Sequence, residues 1–158
     1  MPAVSPVELI RFADEENSVL VRVLGRFSPG VLTFHDHLRA EIVVNSGFAC
    51  GRLDAPLSRE DLDDWERALG ALHAGESVRW MDDGRNPEIQ VERTDDSDYL
   101  EVTVIDPVMS MTSVRVAVRL PDGWLTAHRD RLYLVRQTWP SEVIKTSYGA
   151  LTWRSSGS

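Results

Sequence analysis

The sequence predicts an α+β protein, with a largely antiparallel, twisted sheet of about eight strands and two covering helices at about 58–74 and 124–139. Most apolar stretches alternate with a period of two residues and are separated by short polar turns. Short turns favour antiparallel pairing, because a parallel pair needs a crossover of about a dozen residues or more. Each helical segment carries one apolar stripe, and such a helix packs against one face of a sheet.

Eight strands are predicted, four before the first helix and four after it. They span residues 7–13, 18–24, 38–44, 48–53, 77–81, 88–93, 99–105 and 113–120. The last strand shows the alternation well, because one of its faces consists of Val114, Val116, Val118 and Leu120. Polar turns separate the strands, including one at 95–98, and the sequence shows no internal repeat.

The first helix is predicted from its stripe and from its ends. Its stripe consists of Leu62, Trp65, Leu69 and Leu72. Ser58 stands at the N-cap position, and Asp61 follows three residues later beside the unpaired amides of the first turn. Gly75 is the expected stop.

The second helix carries an apolar stripe that includes a histidine. The stripe consists of Leu125, His128, Leu132, Val135 and Trp139, and Pro140 ends the helix. His128 has a functional interpretation as a general base. The favoured interpretation is a histidine at the edge of the core that is satisfied by a backbone carbonyl.

Length and composition predict one globular domain at 1–146, followed by a partly disordered C-terminal tail at 147–158. Cys50 is the single cysteine, so an intrachain disulfide is excluded. It is expected to be a small buried apolar residue. No apolar run approaches the ~20 residues of a membrane span, and no secretory signal pattern is visible, so a cytoplasmic protein without membrane contact is expected.

The formal net charge of −8 disfavours nucleic acid as a partner, because phosphate binding needs a basic surface. A basic protein partner or a neutral small molecule fits this charge better. The acidic residues Asp54, Glu60, Asp63 and Asp64 lie at or near the outward face of the first helix. They are the candidate surface for steering such a partner. The alternative is a solvated helix face whose acids favour the helix N-terminus.

Tyr133 and Leu134 fall off the apolar stripe of the second helix. They form either a contact with a partner or a second copy of the chain, or a surface that the tail around Leu151 and Trp153 covers. The two interpretations are equally supported by the pattern.

His35 and His37 are the weak candidates for a metal site, because histidines two residues apart share a face of an extended segment. No third ligand stands at a diagnostic spacing. A polar loop in which Asp36 caps its own turn is therefore favoured. We expect no metal, no cofactor and no catalytic group.

Several stretches resemble an uncharacterised family of small actinobacterial proteins. They are residues 19–26 (VLVRVLGR), 40–44 (AEIVV), 61–65 (DLDDW), 78–80 (VRW) and 138–140 (TWP). The order of strands and helices is also similar to WapI-type immunity proteins. These features favour a non-enzymatic cytoplasmic protein that binds another protein as an immunity-like or accessory factor. The alternative is a small enzyme or ligand-binding protein with a pocket in a curled sheet.

Overall fold

The computed structural model describes residues 4–94 and 98–155, and within them the α+β prediction is confirmed. Four strands and a helix follow one another, the same order occurs a second time, and a short hairpin follows. The elements are β1 (Val7–Ala13), β2 (Ser18–Arg26), β3 (Leu38–Asn45), β4 (Cys50–Asp54), α1 (Arg59–His73), β5 (Val78–Trp80), β6 (Glu88–Arg93), β7 (Tyr99–Ile105), β8 (Ser113–Arg119), α2 (Trp124–Thr138), β9 (Val143–Lys145) and β10 (Leu151–Trp153). The repeated order is a feature of the fold that leaves no repeat in the sequence.

The prediction of a single sheet of about eight strands is wrong. The strands form two four-stranded antiparallel sheets, in the orders β1-β2-β3-β4 and β5-β6-β7-β8. Within each sheet consecutive strands pair through turns or loops that contain no helix, but α1 separates β4 from β5 along the chain. The helix carries the chain away from β4, so β5 begins a new sheet. The predicted turn at 95–98 falls largely on residues 95–97, which lie outside the described residues.

One core joins the two sheets and the two helices. The inner faces of the strands supply it through alternating buried residues, as in β7, where Leu100, Val102 and Val104 are buried. Trp65 of α1 is fully buried in this core, with its ring centroid 5.3 Å from that of Trp80 and 6.3 Å from that of Phe12. Strands from both sheets therefore pack on one helical side chain.

The predicted ends of both helices agree with the structure. The Ser58 Oγ accepts a hydrogen bond from the Asp61 N–H at 3.2 Å, and the Asp61 carboxylate accepts one from the Ser58 N–H at 2.8 Å. Gly75 follows α1 with a positive φ of 86°, a conformation that glycine adopts without steric cost. The second helix ends at Thr138, shortly before Pro140.

The C-terminal segment forms a hairpin that the sequence did not predict. β9, at the end of the predicted domain, pairs in antiparallel register with β10, which lies in the segment assigned to the tail at 147–158. Asp36 in the β2–β3 loop accepts hydrogen bonds from the N–H groups of Glu142 (2.9 Å) and Val143 (3.0 Å) and from the Ser141 hydroxyl (3.0 Å). These bonds attach the hairpin to the β2–β3 loop. Residues 156–158 lie outside the described residues.

Neither helix in the described part of the chain combines the length and apolar character that a membrane crossing requires.

Candidate functional site

The edges of the two four-stranded sheets differ in how well they are covered. Along β1, the Arg11 N–H donates to His128 Nε2 at 3.1 Å. Along β8, the Asn17 side chain donates to the Ala117 carbonyl at 2.9 Å, and the Arg119 N–H donates to the Asp14 carboxylate at 2.9 Å. The other edge of the second sheet is β5, which is only three residues long. A very short edge strand is itself protected against pairing with another chain.

The remaining edge, β4, is open. Leu57 and Leu38 exchange backbone hydrogen bonds of 2.9 and 2.8 Å, and the Ala55 N–H donates to the Ala40 carbonyl at 2.9 Å. Antiparallel pairs alternate between bonded and non-bonded positions, so these bonds fix the phase of the whole β3–β4 ladder. In that phase the N–H and C=O groups of Cys50, Arg52 and Asp54 point away from β3. Among the described residues none of these groups has a hydrogen-bond partner, and we call this row the open edge.

An apolar cleft of about 210 Å³ lies beside the open edge, between the two sheets. Its walls include Ile42, Val44, Gly51, Leu53, Val104 and Val114. Gly51 and Leu53 pair with Val44 and Ile42, and directly paired residues share a face, so both positions of β4 face this inter-sheet cleft. Gly51 contributes no side chain there, and a Cβ atom at this position would meet nothing within 4 Å.

Two loops border the inter-sheet cleft, and both expose large apolar side chains. Phe48 in the β3–β4 turn is 100% exposed, and Met109 in the β7–β8 loop is 85% exposed. Val108 and Met111 of the same loop are also exposed. We call these four residues the apolar rim.

Hydrogen bonds hold both rim loops in place. The Ser46 hydroxyl accepts from the N–H groups of Phe48 (3.2 Å) and Ala49 (3.0 Å). Asp106 accepts from the N–H groups of Ser110 (2.9 Å) and Met109 (3.1 Å) and from the Ser110 hydroxyl (2.8 Å). These donors lower the pKa of Asp106 to about 2, so its carboxylate is ionised and committed to its own loop. The rim is therefore displayed by ordered turns.

Cys50 is exposed at the start of β4, so the expectation of a buried cysteine is wrong. The strand is an edge, and four of its five residues are exposed. Asp54, predicted as a partner-binding residue, lies at the other end of the same open edge. It makes no ion pair within the described residues.

The predicted acidic face of α1 is partly neutralised. Asp63 pairs with Arg136 of α2 at 2.7 Å, and Arg136 also pairs with Glu66 at 2.7 Å. Asp64 pairs with Arg67. Glu60 is exposed and has no described ion pair, so it keeps its charge available for long-range attraction.

Tyr133 and Leu134 are each more than half exposed on α2. The C-terminal hairpin packs against the β2–β3 loop, where the Trp153 ring meets the His35 ring edge-on at a centroid distance of 4.8 Å. In the described part of the chain the tail therefore leaves Tyr133 and Leu134 uncovered.

The two weak metal candidates have protein partners. The Gly30 N–H donates to His35 Nδ1 at 2.9 Å, and His35 Nε2 lies 3.1 Å from a Glu142 carboxylate oxygen. The His37 ring packs against Phe34 with its centroid 5.5 Å away. Among the described residues, no group of three or more histidine, cysteine or acidic side chains is arranged to hold a metal ion.

His128 is a structural residue that joins α2 to β1. Its Nδ1 donates to the Trp124 carbonyl at 2.6 Å, while its Nε2 accepts from the Arg11 N–H. Burial lowers the pKa of His128 to about 4, so the imidazole is neutral near pH 7. These contacts agree with the interpretation of a satisfied histidine at the edge of the core.

Sequence reasoning missed the apolar rim and the open edge. The signal for the rim is present at 106–112, where Val108, Met109 and Met111 stand in a segment assigned to no strand. Phe48 was placed in a predicted strand at 48–53, but the strand begins at Cys50, which leaves the phenylalanine in the turn.

Comparisons with known proteins identify a family and a fold. A family model matches residues 7–140, and its description is a family of unknown function, DUF5959. A search of curated proteins returns no match. Among solved structures, the plant transcriptional regulator PBF-2 is similar, with a TM-score of 0.54 and 10% identity over 88% of this chain and 84% of that chain. At this identity the likeness concerns the fold alone. Neither the WapI-type architecture nor an actinobacterial source is shown, and both stay predictions.

Proposed function

The chain belongs to DUF5959, a family of unknown function, and we propose that it is a non-enzymatic protein-binding protein whose contact surface is the inter-sheet cleft with its apolar rim. The observation that carries this proposal is the apolar rim. Phe48, Val108, Met109 and Met111 are exposed on two ordered loops that border one apolar cleft. Exposed apolar side chains on loops that border an apolar cleft are typical of interaction sites.

The polar groups of the inter-sheet cleft support binding over catalysis. Asp106 is engaged by its own loop through three backbone N–H groups and the Ser110 hydroxyl. The cleft volume of about 210 Å³ lies below the ~300 Å³ at which small-molecule sites begin. At the inter-sheet cleft, the alternative of a catalytic or small-molecule site is therefore less well supported than protein binding.

We infer that the partner is basic and presents apolar side chains to the rim. The net charge of −8 attracts a basic protein at long range, and Asp54 and Glu60 have no described ion pairs that would cancel their charge. Such attraction acts mainly on the association rate and weakens as salt rises. An immunity-like or accessory role in the cytoplasm is the setting that fits a protein of this kind.

The test compares two surface variants in an affinity capture from the source organism, followed by binding of the purified partner. The double variant Phe48→Ser, Met109→Ser removes the two most exposed side chains of the rim, one from each loop. Tyr148→Ser is the matched control, because Tyr148 is 96% exposed on the β9–β10 turn, away from the cleft. We expect one protein to be retained by the wild type and by Tyr148→Ser, and its affinity for the rim variant to fall by about tenfold or more.

Ionic strength supplies a second measurement with the same purified partner. Raising salt should slow its association with the wild type while changing its dissociation little. Retention of the same proteins by the wild type and the rim variant, with equal affinity, would overturn the proposal.

A further inference from the structure

We propose that the open edge of β4 binds its partner by strand addition, with an extended segment of the partner pairing antiparallel to Cys50–Asp54 and placing apolar side chains in the inter-sheet cleft. This inference rests on the proposed protein-binding function and specifies its mode and the chemistry of the partner. The open edge offers the N–H and C=O groups of Cys50, Arg52 and Asp54, and none of them has a hydrogen-bond partner in the described residues. A row of this kind is a template for another strand.

The contrast with the other edges supports a functional rather than an accidental opening. Side chains from distant parts of the chain cap β1 and β8, through His128 for β1 and through Asp14 and Asn17 for β8. Natural sheets protect their edges because an unprotected strand pairs with other chains. Within the described residues only β4 combines five residues with an uncapped backbone.

The side chains around the open edge define the partner segment. Residues opposite Gly51 and Leu53 would share their face and point into the cleft, so they should be apolar. Because Gly51 carries no side chain, the cleft has room for a large residue at the position opposite it. On the outer face, a basic residue opposite Asp54 would complement its charge, and an acidic residue opposite Arg52 would join Glu41, which already pairs with Arg52 at 3.5 Å.

A second copy of this chain fits the open edge less well. If the β4 strands of two copies paired antiparallel in the register centred on Arg52, the two arginines would lie directly opposite each other, which is unfavourable. Pairing around Leu53 would match Arg52 with Asp54, but Cys50 would then face Pro56, which has no N–H for the outward carbonyl. The same register sets Gly51 against the small Ala55 and leaves the cleft unfilled. A different chain therefore suits this edge better.

The test uses a designed peptide as the probe. The sequence Lys-Val-Glu-Phe-Thr, acetylated, amidated and fluorescein-labelled, runs antiparallel to β4 with Lys opposite Asp54 and Phe opposite Gly51. Its matched control has the same side chains but an N-methyl group on the glutamate, the residue opposite Arg52. We expect fluorescence anisotropy to show binding of the first peptide. The methylated peptide should bind more weakly by about tenfold or more, because its N-methyl group removes one backbone hydrogen bond and keeps the two strands from approaching closely.

Two variants of the protein locate the pairing. Arg52→Pro removes the outward N–H that would donate to the glutamate carbonyl of the first peptide, at a position where an edge strand tolerates proline, and should weaken binding of that peptide by about tenfold or more. Arg52→Val keeps this N–H while removing the charge, and should retain the difference in affinity of about tenfold between the two peptides. Cys50→Pro alters another outward N–H and serves if Arg52→Pro fails a thermal-unfolding check.

The outcomes separate this inference from the proposed function. Equal binding of both peptides, or no binding of either, overturns strand addition, whereas loss of the natural partner by the rim variant would still support protein binding. Sedimentation equilibrium tests for a second copy. A wild-type dimer that Arg52→Pro dissociates would assign the open edge to self-association and overturn the proposal of a different chain.

Discussion

A single imidazole shows how one residue joins two elements in this fold. His128 of α2 satisfies the Arg11 N–H on the edge of β1 and also the Trp124 carbonyl in its own helix. The contact with Arg11 requires the neutral ring, because Nε2 can accept a hydrogen bond only when it carries no proton. Protonation would remove the acceptor and leave a charge in a buried site. Protonation of His128 would therefore remove the partner of the Arg11 N–H, so the protection of the β1 edge depends on pH.

We expect His128 to make the folded state less stable in acid. The pKa of His128 is lowered from 6.5 to about 4, so between these pH values the unfolded chain binds a proton that the folded protein does not. Stability therefore falls as pH drops from about 6.5 to 4, by about 3 kcal/mol from this group. Urea unfolding of the wild type and His128→Gln across this range measures it. The variant should lack this component, and parallel pH profiles for the two proteins would contradict the expectation.

The β9–β10 hairpin illustrates how side chains of a distant loop hold a short element, with Asp36 making most of the bonds to its backbone. A two-stranded hairpin is marginal in water by itself, and each of its strands has only three residues. Burial raises the pKa of Asp36, but the hydrogen bonds from Glu142, Val143 and Ser141 outweigh it and keep that pKa below its ordinary value. The ionised carboxylate thus holds the start of the hairpin against the β2–β3 loop.

Asp36→Ala should release the hairpin while the two sheets stay folded. Losing hydrogen bonds to a charged acceptor costs about 1.5–3 kcal/mol for each bond, so amide exchange in Val143–Lys145 and Leu151–Trp153 should accelerate by about tenfold or more. Asp83→Ala is the matched control, because Asp83 caps an exposed turn through Arg85 and Asn86. Unchanged exchange in Asp36→Ala would show that the hairpin is held by other contacts.

Strand positions could be predicted because each strand carries its own alternation. The predicted bounds of β1, β6 and β7 agree with the structure at both ends. The division into two sheets and the protection of each edge could not be predicted, because they depend on distant residues, such as Asp14 capping β8. Of the candidate site, Asp54 was predicted for its charge, whereas its place on the open edge follows only from the β3–β4 register.

At the scale of the whole molecule, one core holds together both sheets and both helices. Trp65 lies between Phe12 of β1 and Trp80 of β5, and its ring also approaches His128 of α2, at a centroid distance of 6.4 Å. Four elements thus meet at one side chain. The two sheets share no ladder hydrogen bonds, so they are coupled by this packing together with the bonds from Asp14 and Asn17 to β8.

Trp65→Ala should destabilise both sheets together. Truncating a fully buried tryptophan leaves a cavity and costs about 3–5 kcal/mol, and the indole N–H adds nothing to this loss because it has no hydrogen-bond partner. Since β1 and β5 pack on the same ring, exchange protection of the β2–β3 and β6–β7 amides should fall by equal free energies, with a single unfolding transition. Trp153→Ala, a half-exposed tryptophan on the hairpin, is the matched control and should leave both sheets protected. If only one sheet lost protection in Trp65→Ala, the sheets would be independent units, and the open edge and the inter-sheet cleft would not share one rigid frame.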